Sequence, residues 1–311
     1  MDDRKIHFGL PTGSLNTYGR ADTESLLVEA GYEIIGYTPG KENSGRLAIA
    51  NDTGISPYLV KARNVPGDLS RRLLDIGITG DDCIENWPGG SSEFLKLADL
   101  EYGAVDVVVA VPEDCEIRDL TDLFLSTQET GEPLTFYTEY VILTKNYILN
   151  SEGYRELFPE SSPVTEIWGY REGDNTKVQI IYSAGATEEY LRRGFPIVDN
   201  SQSGMSLERA GGRKLEVIMK ATAGLYSRQD LETDSWKAEK TNEIKELLVG
   251  VVNGRKHYDV KFNVEPDTLD QILEFLNEEG LSLKGPTVSE LLDASRSTIG
   301  YAVNIAVPKS R

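Results

Sequence analysis

Apolar and polar residues follow a repeating strand and helix pattern through the first 111 residues. "KIHFGLP" alternates and meets a Pro-Thr-Gly loop, after which "TESLLVEAGYEI" has apolar residues at helical spacing. The same unit is then repeated. It comprises the strand "SPYLVKAR", a helix that begins with Pro66, the strand "DIGITG" and a helix that begins at Asp81 or Asp82. The continuous Val run in "GAVDVVVAVP" predicts a strand covered on both faces, as in a parallel sheet. This alternation indicates an α/β fold.

The pattern restarts after Val111 and indicates two further domains. Strand and helix signals in "LTFYTEYVILTKNYILN", "VQIIYSAGATEEYLRRG" and "FPIVDNSQSGMSLERAG" predict a second α/β lobe over 112–207. The strand-like "KLEVIMKATAGLYSR" then returns the chain, so that 1–111 and 208–235 form the first lobe. From Trp236 a long amphipathic helix leads into a βαββ pattern, which predicts a small α+β domain over 236–311.

Length and charge narrow the class of protein. A chain of 311 residues can build two or three domains with cores of their own. Its net charge of −19 argues against nucleic acid or anionic lipid as a partner, because proteins bind the phosphates of both with cationic side chains. No apolar run approaches a membrane span or a secretory leader, so we expect a cytoplasmic protein without a membrane partner. Two Cys and two isolated His cannot supply a usual zinc site.

The stretch "RRGFPIVDNSQSGMSLERAGG" contains a candidate anion site. An apolar run ends at Asp199 and is followed by a small hydroxylated loop, in which Gly204 permits close approach of the backbone to a ligand. Ser201, Ser203 and Ser206 add hydroxyl donors, and an acid before the loop suits the hydroxyls of a sugar whose phosphate occupies it. A strand-to-helix turn capped by Ser206 explains the pattern about equally well.

Nine segments in collinear order resemble the long-form ATP phosphoribosyltransferases, the first enzyme of histidine biosynthesis. They are "LPTGSL", "ESLLVEAGY", "LVKARNVP", "DIGITGDD", "VVVAVPED", "TEYVILTKNYI", "GATE", "IVDNSQSGMSL" and "PTVSELLD", and the similarity runs from Phe8 to about Val307. The resemblance implies a two-lobed periplasmic-binding-protein-like (type II) catalytic region and a C-terminal ACT-like domain. It also implies ATP and phosphoribosyl pyrophosphate as substrates, Mg²⁺ as cofactor, and homo-oligomers from dimer to hexamer.

Matching motif by motif, the resemblance implies three sets of site residues. Asp199 is the catalytic candidate, and the phosphoribosyl pyrophosphate site comprises Asp199, Asn200, Ser201, Ser203, Gly204, Met205, Ser206 and Leu207. The site for ATP or another acceptor comprises Thr12, Gly13, Ser14, Arg20, Lys61, Arg63, Thr79, Gly80 and Asp82. Further candidates are Thr138, Glu139, Lys145, Ala186, Thr187 and Glu188. No residue is assigned as a metal ligand.

Some of these positions also fit a purely structural role. Asp82 suits a helix cap as well as a ligand contact, and Gly185 to Glu188 suit an ordinary helix start. Lys145 suits an exposed helix cation equally well.

The chain departs from the family pattern at three places. The first loop has Thr12 where the family commonly has Lys, and Arg20 is the candidate to restore that charge. Phe195 replaces an acid four residues before Asp199, and Asn200 beside Asp199 carries no charge. The chain stops at Arg311, so the third domain is apparently abbreviated or completed by a neighbouring subunit, and inhibition by histidine is not implied.

Two other functions stay open at this point. A divergent phosphoribosyltransferase would keep the phosphoribosyl pyrophosphate site and use another nitrogen heterocycle as acceptor. A non-catalytic two-lobed sensor would bind a nucleotide or anion without turnover.

Overall fold

Two compact units make up the chain, Met1–Lys245 and Glu246–Arg311. A computed structural model describes residues 4–17, 22–41, 47–201, 204–281 and 285–309. The first unit contains a five-stranded and a seven-stranded sheet, which we call the first lobe and the second lobe. No helix among these described ranges is long and apolar enough to cross a membrane.

The first lobe is built on three parallel strands and two antiparallel ones. Its sheet order is β4-β1-β5-β14-β6, in which β14 is Ala223–Arg228 and β1 is parallel to β4 and β5. Ile6, Phe8 and Leu10 of β1 and Ile76 and Ile78 of β5 are fully buried, which accounts for the apolar pattern of these segments. The elements are β1 (Ile6–Thr12), α1 (Thr23–Glu29), β2 (Ile34–Ile35), β3 (Ala48–Ile49), β4 (Ile55–Lys61), α2 (Val65–Ser70), β5 (Ile76–Gly80), α3 (Asp81–Glu85) and β6 (Phe94–Asp99). The two-residue strands β2 and β3 pair separately.

The second lobe has four parallel strands in the middle of its sheet, one strand paired antiparallel at one end and two at the other. Its order is β10-β9-β11-β8-β12-β7-β13, in which β9, β11, β8 and β12 run parallel. The elements are β7 (Val105–Pro112), α4 (Leu120–Thr130), β8 (Leu134–Thr138), α5 (Val141–Asn150), α6 (Glu152–Leu157), β9 (Pro163–Ile167), β10 (Tyr170–Glu172), β11 (Asn175–Tyr182), α7 (Glu188–Leu191), β12 (Ile197–Ser201), α8 (Met205–Arg209) and β13 (Gly212–Ala221).

Strand β7 corrects two sequence predictions. It is buried as predicted, but it pairs antiparallel with both β12 and β13. Val107, Val109 and Val111 pack in one apolar cluster, and Val108 and Ala110 pack in another, so both faces of β7 are covered although its neighbours run antiparallel. A continuous Val run therefore reports coverage of both faces and does not by itself indicate parallel pairing. Because β7 and β13 pair within the second lobe, that lobe begins before residue 112 and extends beyond residue 207.

The chain crosses between the lobes at two adjacent places. Residues 100–104 connect β6 to β7, and Thr222 connects β13 to β14 (Ala223–Arg228), which returns to the first sheet as the sequence predicts. The two connections bond to each other, because the Leu100 N–H donates to the Ala223 carbonyl and the Ala223 N–H donates to the Tyr102 carbonyl, both at 2.9 Å.

The second unit confirms the predicted βαββ pattern. Helix α9 (Ser235–Arg255) contains the division between the units, and β15 (His257–Val264), α10 (Leu269–Glu278), β16 (Thr287–Leu292) and β17 (Thr298–Pro308) follow. The strands form an antiparallel sheet in the order β15-β17-β16. Leu276, Val303 and Ile305 form its buried core.

Candidate functional site

The predicted site residues collect at the carboxyl ends of parallel strands. In the first lobe, β1 ends at Thr12, β4 at Lys61 and β5 at Gly80. In the second lobe, β8 ends at Thr138 and β12 at Ser201. Ligands of open α/β sheets bind beyond this edge, where loops and helix starts present polar groups.

A cavity of about 360 Å³ joins the two edges. Nine residues predicted from the sequence line it: Thr12, Gly13, Ser14, Lys61, Arg63, Gly80, Asp82, Glu139 and Asn200. Six others that the sequence did not single out also line it: Leu15, Ala62, Cys83, Gly103, Val105 and Tyr140. The cavity therefore unites most of the predicted acceptor site with residues of the second lobe.

The cations Lys61 and Arg63 line the cavity, and Arg63 is paired with an acid across the cleft. Arg63 Nη1 lies 2.7 Å from Glu139 Oε2, and this hydrogen bond raises the pKa of the guanidinium. The other oxygen of Glu139 accepts a 2.7 Å hydrogen bond from the Gly185 N–H. Lys61 is exposed and makes no ion pair within the part of the chain that the structure describes. Lys61 is thus the cation most available to an incoming anion.

A chain of hydrogen bonds crosses the floor of the cavity from one lobe to the other. The Tyr140 hydroxyl donates to Asp82 Oδ2 at 2.8 Å and accepts from Asn200 Nδ2 at 2.9 Å. Burial raises the pKa of Asp82, and the hydrogen bond from Tyr140 opposes that rise. The Asp82 carboxylate lies where a Cβ on Gly80 would stand, so residue 80 must be glycine for this arrangement. Tyr140 could have been found from the sequence by its place beside Glu139.

Asn86 makes a second connection between the lobes that the sequence analysis missed. It follows helix α3, and its Nδ2 donates to the Glu139 carbonyl at 3.0 Å. Its Oδ1 accepts from the N–H groups of Ile142 and Leu143 at 3.0 and 3.2 Å. A sequence signal does exist, since helix α5 begins after Tyr140 without a side chain of its own that caps it.

Asp199 lies in strand β12 and is half-buried. Burial raises its pKa to about 7, and the charges of Glu188 and Glu139 act in the same direction. The Asn200 N–H donates to Asp199 Oδ1 at 2.7 Å and opposes the rise. At neutral pH this carboxyl is therefore poised between its two protonation states, and a cation placed beside it would favour the carboxylate.

Gly204 follows Asp199 in a backbone conformation that favours glycine. Gly204 has a φ of 76°, in the left-handed region, and no atom lies within 4 Å of the place of a Cβ, so conformation alone favours glycine there. The Gly204 N–H donates to Ser201 Oγ at 3.0 Å. Met205 and Ser206 are exposed. Ser206 lies inside α8, whose cap residue is Gly204, so the alternative of a Ser206 cap is wrong.

Several other candidates are held by the fold or lie outside what the structure describes. Leu207 is buried in an apolar cluster, so its side chain packs inside the protein and does not face a ligand. The Thr79 hydroxyl donates to the Ala62 carbonyl at 2.7 Å, and the Thr138 hydroxyl donates to the Val198 carbonyl at 2.6 Å. Arg20 and Ser203 fall outside the described residues.

The remaining candidates lie in the second lobe around the cleft. Lys145 pairs with Glu172 at 3.6 Å and does not line the cavity. Ala186 is exposed, Thr187 is buried, and Glu188 begins the one-turn helix α7.

Phe195, which replaces an acid in the family pattern, stands in an aromatic cluster. Its ring meets Tyr137 edge to face at 5.3 Å, and Tyr137 stacks on Tyr190 at 3.7 Å. This position therefore contributes apolar packing and no charge to the site.

Comparison with known proteins assigns the chain to a family. A family model described as ATP phosphoribosyltransferase matches residues 61–250. A protein named ATP phosphoribosyltransferase from Thermodesulfovibrio yellowstonii is 30% identical, with 100% of this chain and 91% of that protein covered. Another of that name from Pelotomaculum thermopropionicum is 28% identical over 93% of this chain and 86% of its own length.

A solved structure supports the same fold. The ATP phosphoribosyl transferase (HisG:HisZ) complex from Thermotoga maritima aligns with a TM-score of 0.54 and 17% identity, covering 80% of this chain and 98% of that one. At that identity the likeness concerns the mixed α/β fold alone, whereas the match to the family model extends over more than half of the chain. This chain belongs to the ATP phosphoribosyltransferase family.

Proposed function

We propose that this chain transfers the phosphoribosyl group of phosphoribosyl pyrophosphate to N1 of ATP, the first step of histidine biosynthesis. Family membership over nearly the whole chain is the observation that carries the proposal. In this reaction the N1 lone pair forms a bond to C1 of the ribose, and pyrophosphate leaves with the electron pair of the C1–O bond. Positioning and electrostatics carry such a transfer, so no nucleophilic side chain is needed.

The loop that follows Asp199 is the proposed site for the ribose 5-phosphate. Ser201 and Ser206 would supply hydroxyl donors, and the exposed position of Ser206 leaves its hydroxyl open to a ligand. Gly204 would allow the backbone to approach the phosphate closely. Asp199 would stand against the ribose, where its carboxylate stabilises the positive charge that develops as pyrophosphate departs. Its raised pKa fits this role, because a neighbouring cation draws the group into its charged form.

The cavity on the first-lobe side is the proposed acceptor site. Lys61 and Arg63 would meet the ATP phosphates, and Thr12, Gly13 and Ser14 would line the same wall with neutral donors. Arg63 must exchange Glu139 for phosphate when the nucleotide enters. An exposed ion pair of this kind contributes little stability, so the exchange is energetically easy.

Magnesium fits this site as an ion that enters with its substrate. Mg²⁺ keeps several waters and is usually held by one or two carboxylates together with substrate phosphates. Among the described residues no three His, Cys, Asp or Glu side chains come together as a ligand set. Asp199 and Glu188 are the acids that would hold the ion, and the bound ion would neutralise the pyrophosphate.

We extend the proposal to the rest of the chain. The two lobes are proposed to form a periplasmic-binding-protein-like (type II) catalytic region, and the βαββ unit an ACT-like domain. Tyr258, Leu292 and Ile299 of that unit are 56%, 52% and 59% exposed, which supports burial against other subunits in a homo-oligomer. Whether histidine inhibits the enzyme is a separate question that a ligand titration answers.

A second candidate function rests on the departures from the family pattern. Thr12 brings no charge to the acceptor wall, and Phe195 brings none to the ribose side. The missing cation at residue 12 weakens the attraction for the ATP phosphates, which suits another nitrogen heterocycle as acceptor.

One assay separates these functions. Protein, Mg²⁺, phosphoribosyl pyrophosphate and ATP are mixed, and phosphoribosyl-ATP is followed by its absorbance, with Asp199→Asn as the matched inactive control. Product from ATP supports the first function. Pyrophosphate release only with another heterocycle supports the second, and tight binding without turnover indicates a sensor. Failure to bind phosphoribosyl pyrophosphate would refute both transferase functions.

A further inference from the structure

The start of helix α5 is capped by the opposite lobe. The first amides of a helix have no partner within it, and a side chain just before the helix normally accepts from the second or third of them. Here Tyr140 holds the cap position and makes no such bond. Asn86 Oδ1 accepts from Ile142 and Leu143, which are the second and third residues of the helix.

The other half of the Asn86 amide is also used. Its Nδ2 donates to the Glu139 carbonyl at 3.0 Å, so one short side chain makes three bonds to three residues within the five-residue segment from 139 to 143. Asparagine is suited to this because it has a donor and an acceptor on one short stem. Asn86 is itself held at the end of α3, where its N–H donates to the Asp82 carbonyl at 3.0 Å.

The residues next to these bonds are the ones that form the cavity. Glu139 meets Arg63 at 2.7 Å, and Tyr140 meets Asp82 at 2.8 Å, both across the cleft. Each of these contacts depends on where the segment from 139 to 143 lies relative to the first lobe. Asn86 is the residue that bonds the backbone of this segment from that lobe.

We propose that Asn86 is a positioning residue that holds the cleft closed by capping α5 from the first lobe, and so sets the distance between the acceptor wall and the ribose wall. It need not touch either substrate. Ligands that bind only the closed form lose apparent affinity in proportion to the fraction of molecules that are closed. The inference rests on the proposed function only for its kinetic part.

Three variants test it, measured by steady-state kinetics and by solution X-ray scattering. We expect Asn86→Ala to raise the KM of both substrates by about tenfold, which corresponds to about 1.4 kcal/mol and to the loss of a typical cap. The turnover number at saturation should fall much less. The radius of gyration without ligand should increase and return to the wild-type value when phosphoribosyl pyrophosphate and ATP saturate the site.

Asn86→Asp distinguishes the contribution of the acceptor oxygen of Asn86 from that of its donor nitrogen. A carboxylate still accepts from both helix amides and is favoured at a helix start, but it cannot donate to the Glu139 carbonyl. We expect a KM between those of the wild type and Asn86→Ala. Asn150→Ala is the matched control, because Asn150 is exposed at the other end of α5 and its side-chain amide donates to the Asn146 carbonyl of its own helix.

Defined outcomes would overturn the inference. If Asn86→Ala keeps both the wild-type KM and the wild-type radius of gyration, Asn86 does not hold the cleft closed. If Asn86→Ala does not fold, Asn86→Asp decides, and a KM and radius of gyration equal to those of Asn150→Ala would refute the inference. Absence of turnover in the wild type with ATP would refute the proposed function instead, and the scattering result would still decide the role of Asn86.

Discussion

Replacing Tyr140 by Phe removes one hydroxyl from the centre of the cleft. That hydroxyl donates to Asp82 and accepts from Asn200. Asp82 is buried at 7% exposure, so water replaces the lost donor less readily at its oxygen than at the exposed Asn200. A hydrogen bond to a charged group contributes about 1.5–3 kcal/mol, so we expect the free energy of unfolding to fall by about 2 kcal/mol at pH 8.

The pH dependence of this loss identifies its cause. The bond from Tyr140 lowers the pKa of Asp82 against the effect of burial, so the variant has a higher pKa for Asp82 in the folded state than the wild type. The loss is therefore complete where Asp82 is charged in both proteins and shrinks as pH falls and Asp82 takes up a proton.

Urea unfolding followed by circular dichroism at pH 8 and pH 5 measures the effect. Tyr170→Phe is the matched control, because Tyr170 is 73% exposed at the edge strand β10. The change is repeated in an Asp82→Asn background, where we expect a loss of about 1 kcal/mol because the acceptor is neutral. Equal losses in both backgrounds, or less than about 0.5 kcal/mol at pH 8, would refute the reasoning.

Two further predictions concern charge in the cleft. The pKa of Asp199 is raised from 3.8 to about 7, so between these pH values the folded protein holds a proton that the unfolded chain has lost, and its stability falls as pH rises. Asp199→Asn removes this loss, so its Tm should exceed that of the wild type by an amount that grows from pH 4 to pH 8. A difference in Tm that stays constant over this range would contradict the raised pKa. Glu139→Gln keeps an acceptor for the Gly185 N–H but removes the charge that pairs with Arg63. One charge contributes about 1 kcal/mol at 4 Å in water, so inorganic tripolyphosphate should bind the variant about fivefold more tightly when measured by calorimetry. Unchanged or weaker binding would contradict the second prediction.

Periodicity predicted the elements well where each segment buries one face in its own lobe. Strand β5, helix α9 and the βαββ unit fall where the apolar spacing places them. Periodicity could not give the direction of β7, because burial of Val107 to Val111 reports coverage and not the orientation of neighbouring strands. The β9 to β10 hairpin was not predicted either, since its strands have five and three residues and the second is exposed.

The sequence predicted the candidate site residues that stand at the ends of strands, and it missed those that connect the two lobes. Thr12, Lys61 and Gly80 each end a strand, which a sequence pattern can locate. Asn86 and Tyr140 bond partners 53 to 60 positions away. The start of α5 without a cap and the place of Tyr140 beside Glu139 mark the region in the sequence, but they do not identify those distant partners. Leu207 shows the reverse case, because a residue inside a recognised motif proves to be part of the core.

The paired crossings between the lobes limit how the cleft can open. Leu100 and Tyr102 bond Ala223, the residue after Thr222, so the two connections act as one short pivot. Thr222 Oγ1 also bonds Asp81 and Asp99, which ties that pivot to the first residue of α3. A rotation about the pivot therefore leaves the bond between Thr222 and Asp81 in place. The Arg63–Glu139 ion pair joins opposite lobes and, among the described residues, has no bond to the pivot, so it parts as the cleft opens to substrates.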